Sequence, residues 1–202
     1  MTLDGFCAEF SSGVTVLSGD VDSGGWGVAY ALAFTGKDKR ILLYEDSEIC
    51  FGNTRYSVAE FTEKVGYLDV ITFQRKLEKR RTVREQIDRN IKKNGSAISV
   101  ADVQEMFHLS ESRLDRPLYQ NGNEALRAEA AIEFAAGKEV FCFPWFSARM
   151  LCYYAGHLQI ICKALSEKGK IVLIPTSYSQ PILDWSIICA DQKCEFPILN
   201  FD

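Results

Sequence analysis

The stretch VTVLSGDVDSGGWGVAYALAF, Val14–Phe34, decides the fold. It begins with a β-rich apolar run, Val14–Leu17, which is typical of a buried strand. A glycine-rich stretch, Gly19–Gly27, comes next, and Val28–Phe34 has the pattern of a helix body. A strand, a glycine-rich turn and a helix in this order form the layout of a phosphate-binding loop.

Outward from this stretch, short apolar runs alternate with helical patterns. Four further strands are predicted: Ile41–Tyr44, Val140–Phe143, Lys170–Ile174 and Trp185–Cys189. Two stretches of high helix propensity, Glu124–Ala136 and Leu151–Ser166, end near Gly137 and Gly169. Strands that alternate with helices predict an α/β fold, with a mostly parallel sheet and helices on both of its faces.

The middle of the chain differs in character from this core. The stretch Arg75–Lys93 is dense in charge and poor in aromatic residues, and Asn94 with Gly95 gives it a turn signal. Ser99 is a candidate helix cap, with Asp102 three residues later. We therefore expect one domain, in which a helical subdomain (residues 71–137) is inserted into a core lobe (residues 1–70 and 138–202).

Composition excludes several classes of protein. A net charge of −4 argues against general nucleic-acid binding, which needs a clustered positive field. No apolar run approaches the roughly 20 residues of a membrane span, and the first ten residues predict no secretory signal. Seven cysteines without a C-x-x-C pair predict reduced, buried thiols in a cytosolic protein.

Several segments, taken in order, resemble the motifs of the ATP-binding-cassette ATPase family. They are FSSG with the stretch that follows it (Phe10–Ala33), VGYL (Val65–Leu68), TVREQI (Thr82–Ile87), NGNEALR (Asn121–Arg127), VFCF (Val140–Phe143) and VLIPTS (Val172–Ser177). The resemblance covers nearly the whole chain. It implies a P-loop NTPase-like fold and, for an intact member, Mg²⁺ and ATP as ligands.

The loop departs from the family's G-x-x-x-x-G-K-[ST] pattern. The resemblance assigns these residues to a relic phosphate loop: Gly19, Asp20, Ser23, Gly24, Gly25, Trp26 and Gly27. Gly25 stands where the family has the lysine that reaches the phosphates, and Trp26 stands where it has the hydroxyl that holds Mg²⁺. Asp20 and Asp22 add negative charge beside the expected phosphates, which opposes ATP binding.

The other catalytic positions of the family are replaced as well. Pro144 and Trp145 stand at the Asp-Glu that ends the Walker B strand, and neither can hold a metal or accept a proton. Val70 falls near the Q-loop glutamine, Leu151 at the D-loop aspartate and Ser177 at the switch histidine. Losing one such group typically lowers the rate of the reaction by about 10²–10³. Because several are replaced, the sequence predicts no catalytic residue and no metal ligand.

The signature-like segment retains more of its pattern. It consists of Asn121, Gly122, Asn123 and Glu124, with Asn121 in place of serine and Asn123 in place of the second glycine. Asparagine donates hydrogen bonds and tolerates left-handed backbone, so contact with a nucleotide held by a partner is conceivable. The alternative is a loop that leads into a helix capped by asparagine.

Structural alternatives stand beside each functional interpretation. The glycine-rich loop is either a remodelled ligand loop or a tight turn kept for folding. Trp26 either plugs the nucleotide pocket or packs as a helix-face aromatic, and Trp145 either fills the space of metal and water or is ordinary core packing. The basic run Arg75–Lys93 either docks on an acidic partner or is a solvated helix.

The function favoured by the sequence is a non-catalytic cassette subunit. It would pair with another cassette-type ATPase subunit, as a homo- or heterodimer, with a membrane permease, or with both. No ATP or Mg²⁺ binding beyond low affinity is expected, and neither nucleic-acid binding nor direct membrane insertion. We expect a cytoplasmic protein that reaches a membrane only through a partner. Two alternatives stay open: an atypical subunit that binds and hydrolyses ATP, and a free-standing ligand-binding or scaffold protein.

Overall fold

The computed structural model describes residues 7–20, 24–35, 37, 47–69, 80–177 and 198–200. Their strands are β1 (Gly13–Ser18), β2 (Glu48–Phe51), β3 (Thr54–Ser57), β4 (Val65–Tyr67), β5 (Val140–Cys142), β6 (Ile171–Thr176) and β7 (Ile198–Asn200). Their α-helices are α1 (Gly25–Phe34), α2 (Val58–Phe61), α3 (Val83–Asn94), α4 (Val100–Met106), α5 (Glu111–Leu114), α6 (Ala125–Ala135) and α7 (Ala148–Glu167). Five strands form one sheet in the order β4-β5-β6-β1-β7, and its pairings are parallel.

The central strands are buried on both faces, as their continuous apolar runs predict. In β1 and β6, Val14 pairs with Val172, and in β5 and β6, Phe141 pairs with the same Val172. Because the strands are parallel, their carboxyl ends lie at one edge of the sheet. This edge carries the glycine-rich loop after β1, together with the residues that follow β4, β5 and β6.

Side chains alternate between two covered faces of the sheet. Leu17, Cys142 and Leu173 pack in one buried cluster with residues of α1. On the other face, Phe141 and Val172 belong to a second buried cluster that includes residues of α3, α4, α6 and α7. The predicted α/β fold with helices on both faces of a parallel sheet is therefore confirmed.

Helix caps fix the ends of the elements between β4 and β5. Helix α4 begins after a capping box, in which Ser99 and Asp102 exchange hydrogen bonds, as the sequence predicted. Thr82 and Glu85 form the same motif at the start of α3. Gly95, which ends α3, has a φ of 61°, a left-handed conformation that suits glycine.

Several elements differ from the predictions. The hairpin β2–β3 and helix α2 carry no clear sequence signal, and the structure adds them between the loop and β4. The charged helix of the middle region is described from Val83 onward, and residues 75–79 of the basic run lie outside the described residues. The predicted strands Ile41–Tyr44 and Trp185–Cys189 also lie outside them. The division into a core lobe and a helical subdomain stays a prediction.

The prediction of buried thiols is wrong for part of the cysteines. Cys142 and Cys162 are buried, but Cys7, Cys50 and Cys152 are exposed. Cys50 and Cys152 have apolar neighbours in the sequence, which is why burial was predicted. Both are exposed, because Cys50 lies on the two-stranded hairpin and Cys152 on the outer side of α7. No helix among the described residues has both the length and the apolar character needed to cross a membrane.

Candidate functional site

The glycine-rich loop connects β1 to α1 at the carboxyl edge of the sheet. The Gly19 N–H donates to the carbonyl of Thr176 over 2.9 Å, and so continues the sheet pairing beyond β1. Gly24 has a φ of 111° and precedes α1 without a side-chain cap. Of the other predicted loop residues, Asp20, Gly25 and Gly27 are described and Ser23 is not. A strand therefore precedes the loop and a helix follows it, as the sequence predicted.

Trp145 closes one side of this loop. It follows Phe143, which is fully buried, and Pro144 at the end of β5. Its indole Nε1 donates to the carbonyl oxygen of Gly19 over 3.2 Å. The residue that the resemblance places at the family's water-activating glutamate position therefore donates a hydrogen bond to the first glycine of the loop.

Trp26 lies at the start of α1 and remains 37% exposed. Its indole Nε1 donates to the Tyr67 hydroxyl over 3.2 Å, and its ring centroid lies 5.3 Å from that of Tyr30. Tyr30 and Phe34 extend the same row of rings along α1, and both contact Tyr67. Trp26 therefore lies over the carboxyl end of β4, on an aromatic ledge that we define as Trp26, Tyr30, Phe34 and Tyr67.

The aromatic ledge carries no ionised group. Burial raises the pKa of the Tyr67 hydroxyl above its usual range, and the hydrogen bond from Trp26 opposes this shift only in part. The hydroxyl therefore stays neutral at physiological pH. It offers a dipole and a ring edge, but no charge that would bind a metal ion or a phosphate.

Positive charge is also missing from the sequence around the loop. No lysine or arginine precedes Lys37 in the chain. The Lys37 ammonium donates to the carbonyl of Thr62 over 3.3 Å and lies 3.5 Å from the Glu63 carboxylate. Within the part of the chain that the structure describes, no group of three or more His, Cys, Asp or Glu side chains is arranged to hold a metal ion.

The signature-like segment is folded inward at its first residue. Asn121 is only 1% exposed, and its Nδ2 donates to the carbonyl of Pro117 over 3.0 Å. It makes no side-chain cap on the short turn Gly122–Glu124, so the interpretation of asparagine as a helix cap is wrong. Gly122, with a φ of 54°, and Asn123 are exposed.

Glu124 ties this segment to the loop before α5. Its carboxylate accepts hydrogen bonds from the Ser110 N–H over 2.9 Å and from the Ser110 hydroxyl over 2.8 Å. Arg127 lies 3.8 Å away as an ion-pair partner and also donates to the carbonyl of His108 over 2.6 Å. Glu124 thus holds the helical elements together, and it does not face solvent as an interface residue would.

The remaining motif positions are distributed differently. Leu151 is fully buried in α7, and Ser177 is exposed directly after β6. Val70 lies outside the described residues. The structure thus brings Gly19 of the loop together with Trp145 after β5 and with Thr176 at the end of β6.

Sequence reasoning missed Tyr30 and Tyr67 as partners of the loop. Tyr30 is four residues after Trp26, which places both rings on one face of α1. That spacing was a usable signal. The contact with Tyr67 depends on how α1 crosses β4, and no local pattern encodes it.

Solved structures share the fold of this chain. An ABC transporter ATP-binding protein from Pyrococcus furiosus matches 98% of the chain and 92% of its own length, with a TM-score of 0.58 and 12% identity. The structure of cbiO1 from Clostridium perfringens, described as part of the ABC transporter complex cbiONQ, matches 83% of the chain and 68% of its own length, with a TM-score of 0.58 and 13% identity.

A further solved structure, an ATP-binding cassette of an ABC transporter in its ADP conformation, matches 87% of the chain and 74% of its own length at 15% identity, with a TM-score of 0.55. No protein-family model matches the sequence, and no curated protein shows significant similarity to it. The chain therefore has the fold of the ATP-binding subunits of ABC transporters.

Proposed function

We propose that this chain is a non-catalytic subunit with the ABC ATP-binding fold, which acts as a structural or regulatory partner of an active cassette ATPase, of a membrane permease, or of both. The observation that carries the proposal is the hydrogen bond from Trp145 to the Gly19 carbonyl. The indole of Trp145 cannot act as a base toward an attacking water molecule. Its N–H is instead used in the hydrogen bond to the backbone carbonyl of Gly19.

The chemistry of the loop supports the same proposal. Phosphoryl transfer depends on positioned cations and on a group that orients the nucleophile. Gly25 and Trp26 supply neither a cation nor a metal-binding hydroxyl, and Asp20 and Asp22 add repulsion toward phosphate. The aromatic ledge beside the loop is uncharged.

The class of partner that we propose is based on the fold and on the family that the sequence resembles. One structural neighbour is described as part of an ABC transporter complex, and members of the resembling family work as dimers. Asn121 and Glu124 bond within the chain, which leaves Gly122 and Asn123 as the exposed residues of the signature-like segment. We infer that any contribution of this segment to a partner's nucleotide comes from these two residues.

Calorimetric titration of the purified chain with Mg-ATP, and with Mg-ADP for comparison, tests the first half of the proposal. We expect no binding heat and no thermal stabilisation at millimolar nucleotide, while an intact cassette subunit under the same conditions binds. Micromolar binding would overturn the non-catalytic assignment and would move the atypical ATPase ahead of it.

Co-expression with an intact cassette ATPase and with a membrane permease tests the partner. We expect a complex that survives size-exclusion chromatography and whose ATP turnover differs from that of the ATPase alone. A chain that stays monomeric beside both candidates would instead support the free-standing scaffold.

A further inference from the structure

A buried carboxyl group lies away from the loop, on the face of α6 that packs toward the sheet. Glu129 is 8% exposed, and its Oε2 atom has no hydrogen-bond partner among the described residues. An ionised carboxylate in such a place would lose its hydration without compensation. The site described above makes no use of this group.

Among the described residues, the charged groups that act on Glu129 are both acidic. Glu133 comes from the next turn of α6, and Asp69 comes from the segment after β4. The Glu133 side chain packs closely against Gly66 of β4: a Cβ atom placed on Gly66 would lie 3.1 Å from the Cβ of Glu133. We call Glu129, Glu133 and Asp69 the acidic junction.

No counter-ion among the described residues acts on Glu129. Helices α3, α4 and α7 and the turns Leu118–Gln120 and Gly122–Glu124 also pack on α6, yet no charged group from their described residues acts on Glu129. These three carboxylates do not form a metal-binding arrangement either. Within the described part of the chain, a proton is then the species that neutralises the buried carboxylate of Glu129.

We propose that Glu129 binds a proton when α6 packs against β4, and that opening of this junction releases the proton. The junction is then a pH-sensitive contact between the helix that follows the signature-like segment and the strand that ends beneath Trp26. Acidic conditions favour the closed junction, and alkaline conditions favour its opening.

The direction of the linkage follows from the protonation states. Burial raises the pKa of Glu129 well above its ordinary value of 4.5, and Glu133 and Asp69 raise it further. The closed state holds a proton that the opened state releases. The stabilisation of the closed junction by this proton is complete at pH values below the ordinary pKa of a glutamate. It is lost as the pH rises through the raised pKa of Glu129. Over that window the opening constant increases up to about ten-fold per pH unit.

Nuclear magnetic resonance of the side-chain carboxyl carbons tests the protonation directly, in the wild-type chain at pH 7. We expect one glutamate signal at the position of a protonated carboxyl, present in Glu133→Gln and absent in Glu129→Gln. Uniformly ionised glutamates at pH 7 would overturn the proposal. If Glu129→Gln does not fold, the wild-type spectrum at pH 7 still shows whether a protonated glutamate is present.

Hydrogen exchange of α6 and β4, corrected for intrinsic exchange and followed from pH 6 to pH 8, tests the coupling. We expect the opening constant to rise with pH in the wild type and in the control Glu133→Gln, and to stay level in Glu129→Gln. A wild-type opening constant that does not change with pH, or one that changes equally in Glu129→Gln, would overturn the proposal.

Discussion

The two motif-bearing segments of this molecule are held in opposite ways. The glycine-rich loop is bordered by indoles that donate one hydrogen bond each, from Trp145 to Gly19 and from Trp26 to Tyr67. The signature-like segment is instead fixed by its own polar side chains, because Asn121 is buried and Glu124 accepts two hydrogen bonds from Ser110.

This difference separates motif positions that remain exposed to solvent from those that are used inside the fold. At the loop, Trp26 is exposed and Trp145 is half-buried, so solvent still reaches part of the surface that these two residues form. In the signature-like segment, Glu124, which matches the family motif, holds helical elements together through Ser110. A match to a motif therefore does not by itself indicate a functional surface.

The largest effect is expected for Glu124→Ala. The substitution removes two charge-assisted hydrogen bonds and leaves Arg127, whose side chain is only 11% exposed, without its carboxylate. We expect the free energy of unfolding to fall by about 2–3 kcal/mol, measured by urea denaturation. The matched control is Asn123→Ala, an exposed change one residue away that should stay within about 0.5 kcal/mol. Equal losses in both variants would remove the contrast between the segments.

A smaller effect is expected for Trp145→Phe. The ring remains, but the Gly19 carbonyl loses the donor that lies 3.2 Å away. We expect a loss of about 1 kcal/mol, which corresponds to about five-fold faster exchange of the amides around Gly19. Exchange in α3 should not change, since that helix is far from the loop in the contact pattern. Acceleration spread evenly over the chain would show that Trp145 supports the whole core and not the loop.

The smallest effect is expected for Trp26→Phe. The indole is 37% exposed and donates to Tyr67 at the surface, where water can replace it. A phenyl ring also keeps the contact with Tyr30. The free energy of unfolding should change by less than about 0.5 kcal/mol, followed by circular dichroism in urea. A loss above that of Trp145→Phe would mean that the aromatic ledge stabilises the fold more than the bond to the Gly19 carbonyl does.

Local signals account for most of what the sequence predicted correctly. The strand at β1, the stop at Gly95 and the cap at Ser99 each follow from a few neighbouring residues, and the structure has all three. The alternation of apolar runs and helices was sufficient for the parallel sheet. Such features need no knowledge of how distant parts of the chain meet.

Features that depend on distant contacts could not be predicted. The bond between Trp145 and Gly19 joins residues that are 126 positions apart. The inward turn of Asn121 depends on carbonyl groups in the preceding loop, and the unpaired oxygen of Glu129 depends on β4 passing beneath α6. In the sequence, Glu129 resembles any other acidic residue of a surface helix.

The placement of the tryptophans gives the loop its own optical reporter. The chain has three tryptophans, and two of them, Trp26 and Trp145, border the glycine-rich loop. Their indoles differ in exposure, so quenching by a dissolved solute should separate their emission. A molecule or a protein that settles on the loop would then change the emission of the native chain, and no attached dye would be required to observe it.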